Sequence, residues 1–278
     1  IETCFDALNV KAALAAVSDL YRELLEKDAR REVRLSIGET GNLITKRGEK
    51  ITFGGVSILI GTTGADGGFD ENTLYSMKTN NSVFSDNMPE VGCCIAGEID
   101  VEMRMPSGEI PKKSCLVPYI RLTDGVRSSE WIQKGVFYID TRSFSDNDSE
   151  SGLVTLTFHG YDAMLMTEQY YTDTGNLNWS SGTVVDTDMV SDIARIIGVE
   201  VDERTWDVMT SGYRIPLPTG YTLREVLGYI ASMYVGCFIM TDEGLLRLVS
   251  ILELPPETNL LIDQIGDYIV FGEDRILV

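Results

Sequence analysis

The chain has 278 residues, 44% of them hydrophobic, and its 43 acidic and 23 basic residues give a formal charge of −20. That length and apolar content suffice for one large domain or two ordinary ones with a real core, while the charge argues against a nucleic-acid-binding surface, which needs clustered Lys and Arg. No apolar run reaches the ~18 residues that span a bilayer, and the start, IETCFDALNV, has no signal-like region, so no membrane anchor is expected.

Beginning with Ile rather than Met, the sequence reads as part of a longer protein. From Phe5 to Ala29, apolar residues recur at three- and four-residue spacings, predicting an amphipathic N-terminal helical arm over residues 1–30. That arm packs either on a neighbouring subunit or on its own domain. From Arg31 the pattern becomes strand-like, through REVRLSIG, KITFGGVSILIG, TLYSMK, AGEIDVEMRM, KSCLVPYIRL and WIQKGVFYIDT. Gly-rich or Pro-bearing turns separate these runs, and the pairs Gly54-Gly55 and Gly67-Gly68 lack the motif of a phosphate cradle.

Ser143 to Gly152, SFSDNDSESG, is polar and predicts an exposed hairpin loop, followed by the alternating strand Leu153 to His159. A barrel-like domain over residues 31–160 is the expectation. Residues 161–278 are then a helical insertion plus a β-hairpin region, so the fold class is α+β and mainly antiparallel.

Within that second region, Tyr161 to Gln169 predicts a short helix. Met189 to Ile197 predicts another, capped by Asp186, Thr187 or Asp188 and stopped by Gly198. Thr222-Leu-Arg-Glu225 is a capping box opening a helix to Tyr234, with Val226, Leu227, Ile230 and Met233 as its buried stripe and Gly236 ending it. A hairpin over Cys237 to Ile251, turning at Thr241 to Gly244, comes next. After Pro255-Pro256 an extended region runs from Leu260 to Val278.

Little in this pattern resembles a reaction centre. His159 is the only histidine and lies in a strand without a nucleophile motif, which favours a satisfied sheet histidine over a catalytic base. Asp146-Asn-Asp148-Ser-Glu150 starts like a calcium loop, yet Ser151 and Thr157 occupy the places that require Gly and Glu. The five cysteines, Cys4, Cys93, Cys94, Cys115 and Cys237, are an odd number without C-x-x-C spacing, which predicts reduced thiols and synthesis in a cytoplasm. Of the adjacent Cys93 and Cys94, one is expected to face the core and the other to face away. Neither metal nor organic cofactor is expected, and no catalytic residue is assigned.

Two segments resemble the tail hub proteins of phages and prophages. One is W-I-x-x-G-V-F-Y-I-D, a loop, an alternating strand and G-Y-D-A-M, from Trp131 to Met164; the other is the capped helix and hairpin from Thr222 to Ile251. The resemblance implies a structural subunit, not an enzyme, in a trimeric ring around a tail channel. Its partners would be its own copies and other tail proteins, in a virion tail or a prophage-derived particle. The rival reading is a cell-wall or carbohydrate hydrolase of a tail tip. An acidic channel wall repels the phosphate backbone of passing DNA. Glu98, Asp100 and Glu102, which alternate along one strand, are the channel-facing candidates; an ordinary solvent-facing side of the sheet gives the same pattern.

Overall fold

A computed structural model describes residues 17–27, 29–38, 41–42, 52–53, 56–57, 59–60, 69–84, 90–104, 114–146, 154–250, 270–271 and 274–275. The chain divides into two compact units, one of Ile1–Arg30, Leu122–Glu130 and Ile251–Val278, the other of Arg31–Arg121 and Trp131–Ser250.

In the first unit, helix α1 (Asp19–Glu26) starts at Ser18, whose hydroxyl accepts the Tyr21 N–H at 3.1 Å. Glu130 in turn accepts the Ser18 N–H at 2.6 Å and its hydroxyl at 2.5 Å. Tyr21 and Leu24 form the buried side of the helix. On its outer side Glu23 meets Arg127 at 3.0 Å and Lys27 at 2.6 Å, and these hydrogen bonds hold the Glu23 carboxyl down at about 2. The rest of the expected arm, residues 1–16, lies outside the described residues.

The larger unit is built on a sheet. Its strands are β1 (Arg30–Gly38), β2 (Phe69–Asp70), β3 (Leu74–Asn80), β4 (Glu98–Arg104), β5 (Cys115–Thr123), β6 (Ile132–Gln133), β7 (Phe137–Asp146) and β8 (Val154–Tyr161). They run in the order β2-β1-β5-β7-β8-β4-β3, with β6 added on β5. Leu35, Leu74, Ile99, Val101, Met103, Leu116, Phe137, Leu156 and Phe158 form its core, as the period-two pattern places them on one face. On the other face Trp131 meets two guanidinium groups, Arg34 at 5.0 Å and Arg121 at 4.4 Å from its ring.

Two sequence expectations fail in this sheet. Among the described residues the expected barrel is not closed: β2 and β3 end the path at opposite edges, joined through residues 71–73 of the chain and not by a ladder. The expected loop at Ser143 also begins too early. β7 continues to Asp146, with Ser143 opposite Thr157, Phe144 opposite Leu156 and Asp146 opposite Val154. Pairing with a long partner strand supplies backbone hydrogen bonds that override the turn propensity of Ser and Asp. Residues 147–153, and with them the calcium-like loop after Asp146, lie outside the described residues, as do both Gly-Gly pairs.

After β8 the chain enters a 3₁₀ helix (Ala163–Glu168), where the short helix was expected, and then β9 (Thr183–Val185), α2 (Asp186–Ile197), α3 (Arg204–Val208), β10 (Arg214–Pro216), α4 (Leu223–Met233), β11 (Gly236–Met240) and β12 (Leu246–Ser250). β9 pairs with β10 and β11 with β12. A second core, including Met164, Met189, Ile193, Leu223, Leu227, Ile230 and Phe238, fills the space between these elements.

Helix α4 has the predicted reciprocal cap. Glu225 N–H donates to the Thr222 hydroxyl at 3.1 Å, and the Glu225 carboxylate accepts the Thr222 N–H at 2.7 Å. Gly198 caps α2 in the left-handed conformation, with φ 78°. Three details differ from expectation. Val185, not an Asp or Thr, is the N-cap of α2, because Asp186 is turned inward and wholly buried. Met233 is 36% exposed and so lies off the buried stripe of α4. Gly236 does not end that helix: Tyr234 is its cap, Val235 takes the left-handed turn with φ 49°, and Gly236 already belongs to β11. A Cβ on Gly236 would lie 2.5 Å from the Val249 carbonyl oxygen, so that position is small for reasons of space.

Candidate functional site

Strand β4 separates its side chains cleanly. Ile99, Val101 and Met103 are buried, whereas Glu98 and Glu102 are half-buried and Asp100 is exposed. The three carboxylates predicted to share a face therefore do so. Neighbouring strands set their surroundings by register: on β8, Tyr161, His159 and Thr157 stand opposite Glu98, Asp100 and Glu102, and on β3, Asn80, Lys78 and Ser76 do. One histidine and one lysine thus flank a row of three carboxylates.

His159 is held inside this face. Its Nδ1 lies 2.7 Å from Asp100 Oδ1, and its ring meets Tyr161 edge-on with centroids 4.8 Å apart. It is a satisfied sheet histidine, as its strand position predicts. Among the described residues no group of His, Cys, Asp and Glu is arranged to hold a metal ion.

Of the buried carboxylates of the helical region, sequence patterns singled out Asp186 alone, and as a helix cap, not as a buried acceptor. Asp162 accepts the Gly97 N–H and the Met164 N–H, both at 2.8 Å, and so joins the end of β8 to the segment before β4. Burial raises its carboxyl to about 6 against the lowering effect of those two N–H groups. Asp186 accepts Tyr234 Oη at 2.5 Å and the Tyr213 N–H at 3.1 Å. Burial, reinforced by that carboxylate, pushes the Tyr234 hydroxyl well above the usual phenol range. Asp192 accepts Tyr171 Oη at 3.0 Å and Thr174 Oγ1 at 2.9 Å, and it also pairs with Arg195. Asp202 is held below the ordinary carboxylate range by Arg204. Each of these acids ties two segments or a helix start together, which is a structural use of charge. The one further sequence signal was the position of Asp162 directly before a turn, where a short acceptor side chain caps.

A groove of about 400 Å³ opens beside α4, lined by Glu90, Cys93, Cys94, Arg224, Tyr229 and Ser232 among others. Two of its polar side chains are already engaged. Arg224 reaches Glu168 at 2.8 Å and the Met164 carbonyl at 3.1 Å, and Ser232 donates to the Gly228 carbonyl at 2.8 Å. Cys94 is buried and Cys93 half-exposed, which fulfils the expectation that the adjacent pair faces two ways, although both precede β4 and do not belong to it.

No protein-family model matches the chain, and no curated protein matches it. Among solved structures, it is similar to the 43 kDa tail protein of prophage MuSo2 from Shewanella oneidensis, with 13% sequence identity and a TM-score of 0.47. The match covers 86% of this chain and 61% of that one, so the chain spans less than two thirds of the length of that tail protein.

Proposed function

We propose that the protein is a structural subunit of a phage or prophage tail, part of a hub or baseplate ring around the tail channel. The observation that carries the reading is the succession of elements in the two segments that resemble tail hubs. Strand β8 passes through Gly160-Tyr161-Asp162 into an Asp162-capped turn, and the capped helix α4 passes directly into the β11–β12 hairpin. A sheet handed over to a helical region at the G-Y-D-A-M segment is what that resemblance implies. The special polar groups support the same reading, since Asp162, Asp186, Asp192 and Asp202 hold segments together.

In this reading the chain is not an enzyme, and it associates with its own copies, as a trimer, and with neighbouring tail proteins. The row Glu98, Asp100 and Glu102 faces the channel, where carboxylates keep DNA from adhering. Light scattering and electron microscopy of the full-length protein with its tail partners test this. A closed ring with β4 on its inner wall is expected; a monomer at high concentration with those partners present, or a ring with β4 outside, overturns it. Peptidoglycan cleavage that disappears on changing one Asp or Glu would transfer the assignment to a tail-tip hydrolase.

A further inference from the structure

Cys93 and Cys237 are far apart in sequence and adjacent in space. Two backbone hydrogen bonds bracket them, from the Gly92 N–H to the Gly236 carbonyl at 2.8 Å and from the Phe238 N–H to the Cys93 carbonyl at 3.0 Å. Segments bonded in this way run ~4.8 Å apart, inside the Cα separation of ~4.4–6.8 Å that a disulfide spans. The two thiols are near enough to affect each other's ionisation. Glu90 holds both: its carbonyl accepts Cys237 Sγ at 3.2 Å and its carboxylate accepts Cys93 Sγ at 3.6 Å. Cys237 is 1% exposed, whereas Cys93 lines the groove beside α4 and is open to a reagent. One thiol is thus an entry point and the other a buried resolving partner.

We propose that Cys93 and Cys237 are a built disulfide site, closed by exchange with a small-molecule disulfide such as oxidised glutathione. The Cys93 thiolate attacks one glutathione sulfur, forming the mixed disulfide and releasing the first glutathione thiolate. The Cys237 thiolate then attacks the Cys93 sulfur, forming the protein disulfide and releasing the second. Two protein thiols are oxidised by two electrons and one oxidised glutathione becomes two reduced molecules, which take up the two protons. The bond makes residues 94–236 a closed loop and fastens the segment before β4 to β11, removing freedom from the unfolded chain. The proposal is independent of the tail assignment.

Burial pushes both thiols up, Cys93 to about 12, so few thiolates exist at neutral pH and closure is slow there. The rate is expected to rise roughly tenfold per pH unit between pH 7 and 9, as the thiolate fraction does.

The test incubates the folded protein with oxidised glutathione, then denatures it and blocks free thiols with N-ethylmaleimide. Three of the five cysteines are expected to be alkylated, with a mass two hydrogens below that of the reduced chain plus three maleimide adducts and one cross-linked peptide pair containing Cys93 and Cys237. The thermal midpoint is expected to rise by on the order of 5–10 °C and to fall back with dithiothreitol. Cys93→Ser, at a half-exposed position, abolishes the cross-link, and Cys94→Ser leaves it intact. Five alkylated cysteines, a glutathione adduct that stays on Cys93, or a cross-link joining any other pair overturns the proposal.

Discussion

The Asp162 carboxylate occupies the space that a side chain at residue 97 would need. Its Oδ2 accepts the Gly97 N–H at 2.8 Å and lies 2.9 Å from where a Cβ on Gly97 would stand, and the Asp162 N–H returns a bond to the Gly97 carbonyl at 2.9 Å. Asn81 Oδ1 closes the same space at 2.6 Å. Gly97→Ala must therefore displace a buried carboxylate, with an expected loss of ~1–3 kcal/mol in chemical denaturation. An alanine variant as stable as the parent would show that the pocket yields freely.

Asp162 also makes stability depend on pH. Its folded pKa, about 6, is above its ordinary value of 3.8, so its contribution is complete below ~4 and is lost as pH rises through 6. The change amounts to ~3 kcal/mol between pH 4 and 7. Asp162→Asn removes that dependence, because the amide does not titrate, but it leaves one backbone N–H facing an NH₂ group at a cost of ~1–3 kcal/mol. The stability gap between parent and variant is expected to narrow as pH rises, measured by urea denaturation at several pH values. A gap that widens refutes the raised pKa.

The capped helix gives a graded pair. Leu227 has no exposed surface, and Leu227→Asp places an unpaired carboxylate in the second core while forfeiting ~2 kcal/mol or more of apolar burial. Thr222→Ala removes one arm of the capping box, for ~1 kcal/mol. Thermal midpoints should fall far more for the first than for the second; an unchanged midpoint for Leu227→Asp would contradict the packing.

At the end of α4 the two neighbours Val235 and Gly236 have opposite requirements. Gly236→Ala meets the Val249 carbonyl oxygen at 2.5 Å and is expected to cost ~1–3 kcal/mol. Val235→Gly relieves a β-branched residue at φ 49° and is expected to stay within ~1 kcal/mol of the parent. Differential scanning calorimetry of both variants checks the contrast, and a reversed order would restore Gly236 as the helix stop.

Local signals determined what was legible in the sequence. Thr222 and Glu225 are three residues apart and can cap each other wherever that helix lies, and Gly198 can adopt φ 78° on its own. The alternation in β4 likewise fixed which face Glu98, Asp100 and Glu102 share, because side-chain direction in a strand has period two. The partners of that face were a different matter. That β4 lies between β8 and β3, that His159 meets Asp100, and that Cys93 meets Cys237 are all contacts between distant segments, which no local spacing encodes. The same holds where the tertiary structure reversed a local preference. Ser143 to Asp146 look like a turn until the ladder with β8 satisfies their backbone, and Gly236 looks like a helix stop until Val249 approaches it. Backbone pairing and close packing act between segments, so they decided the register, the open sheet and the buried acids, while capping and periodicity had already placed the elements themselves.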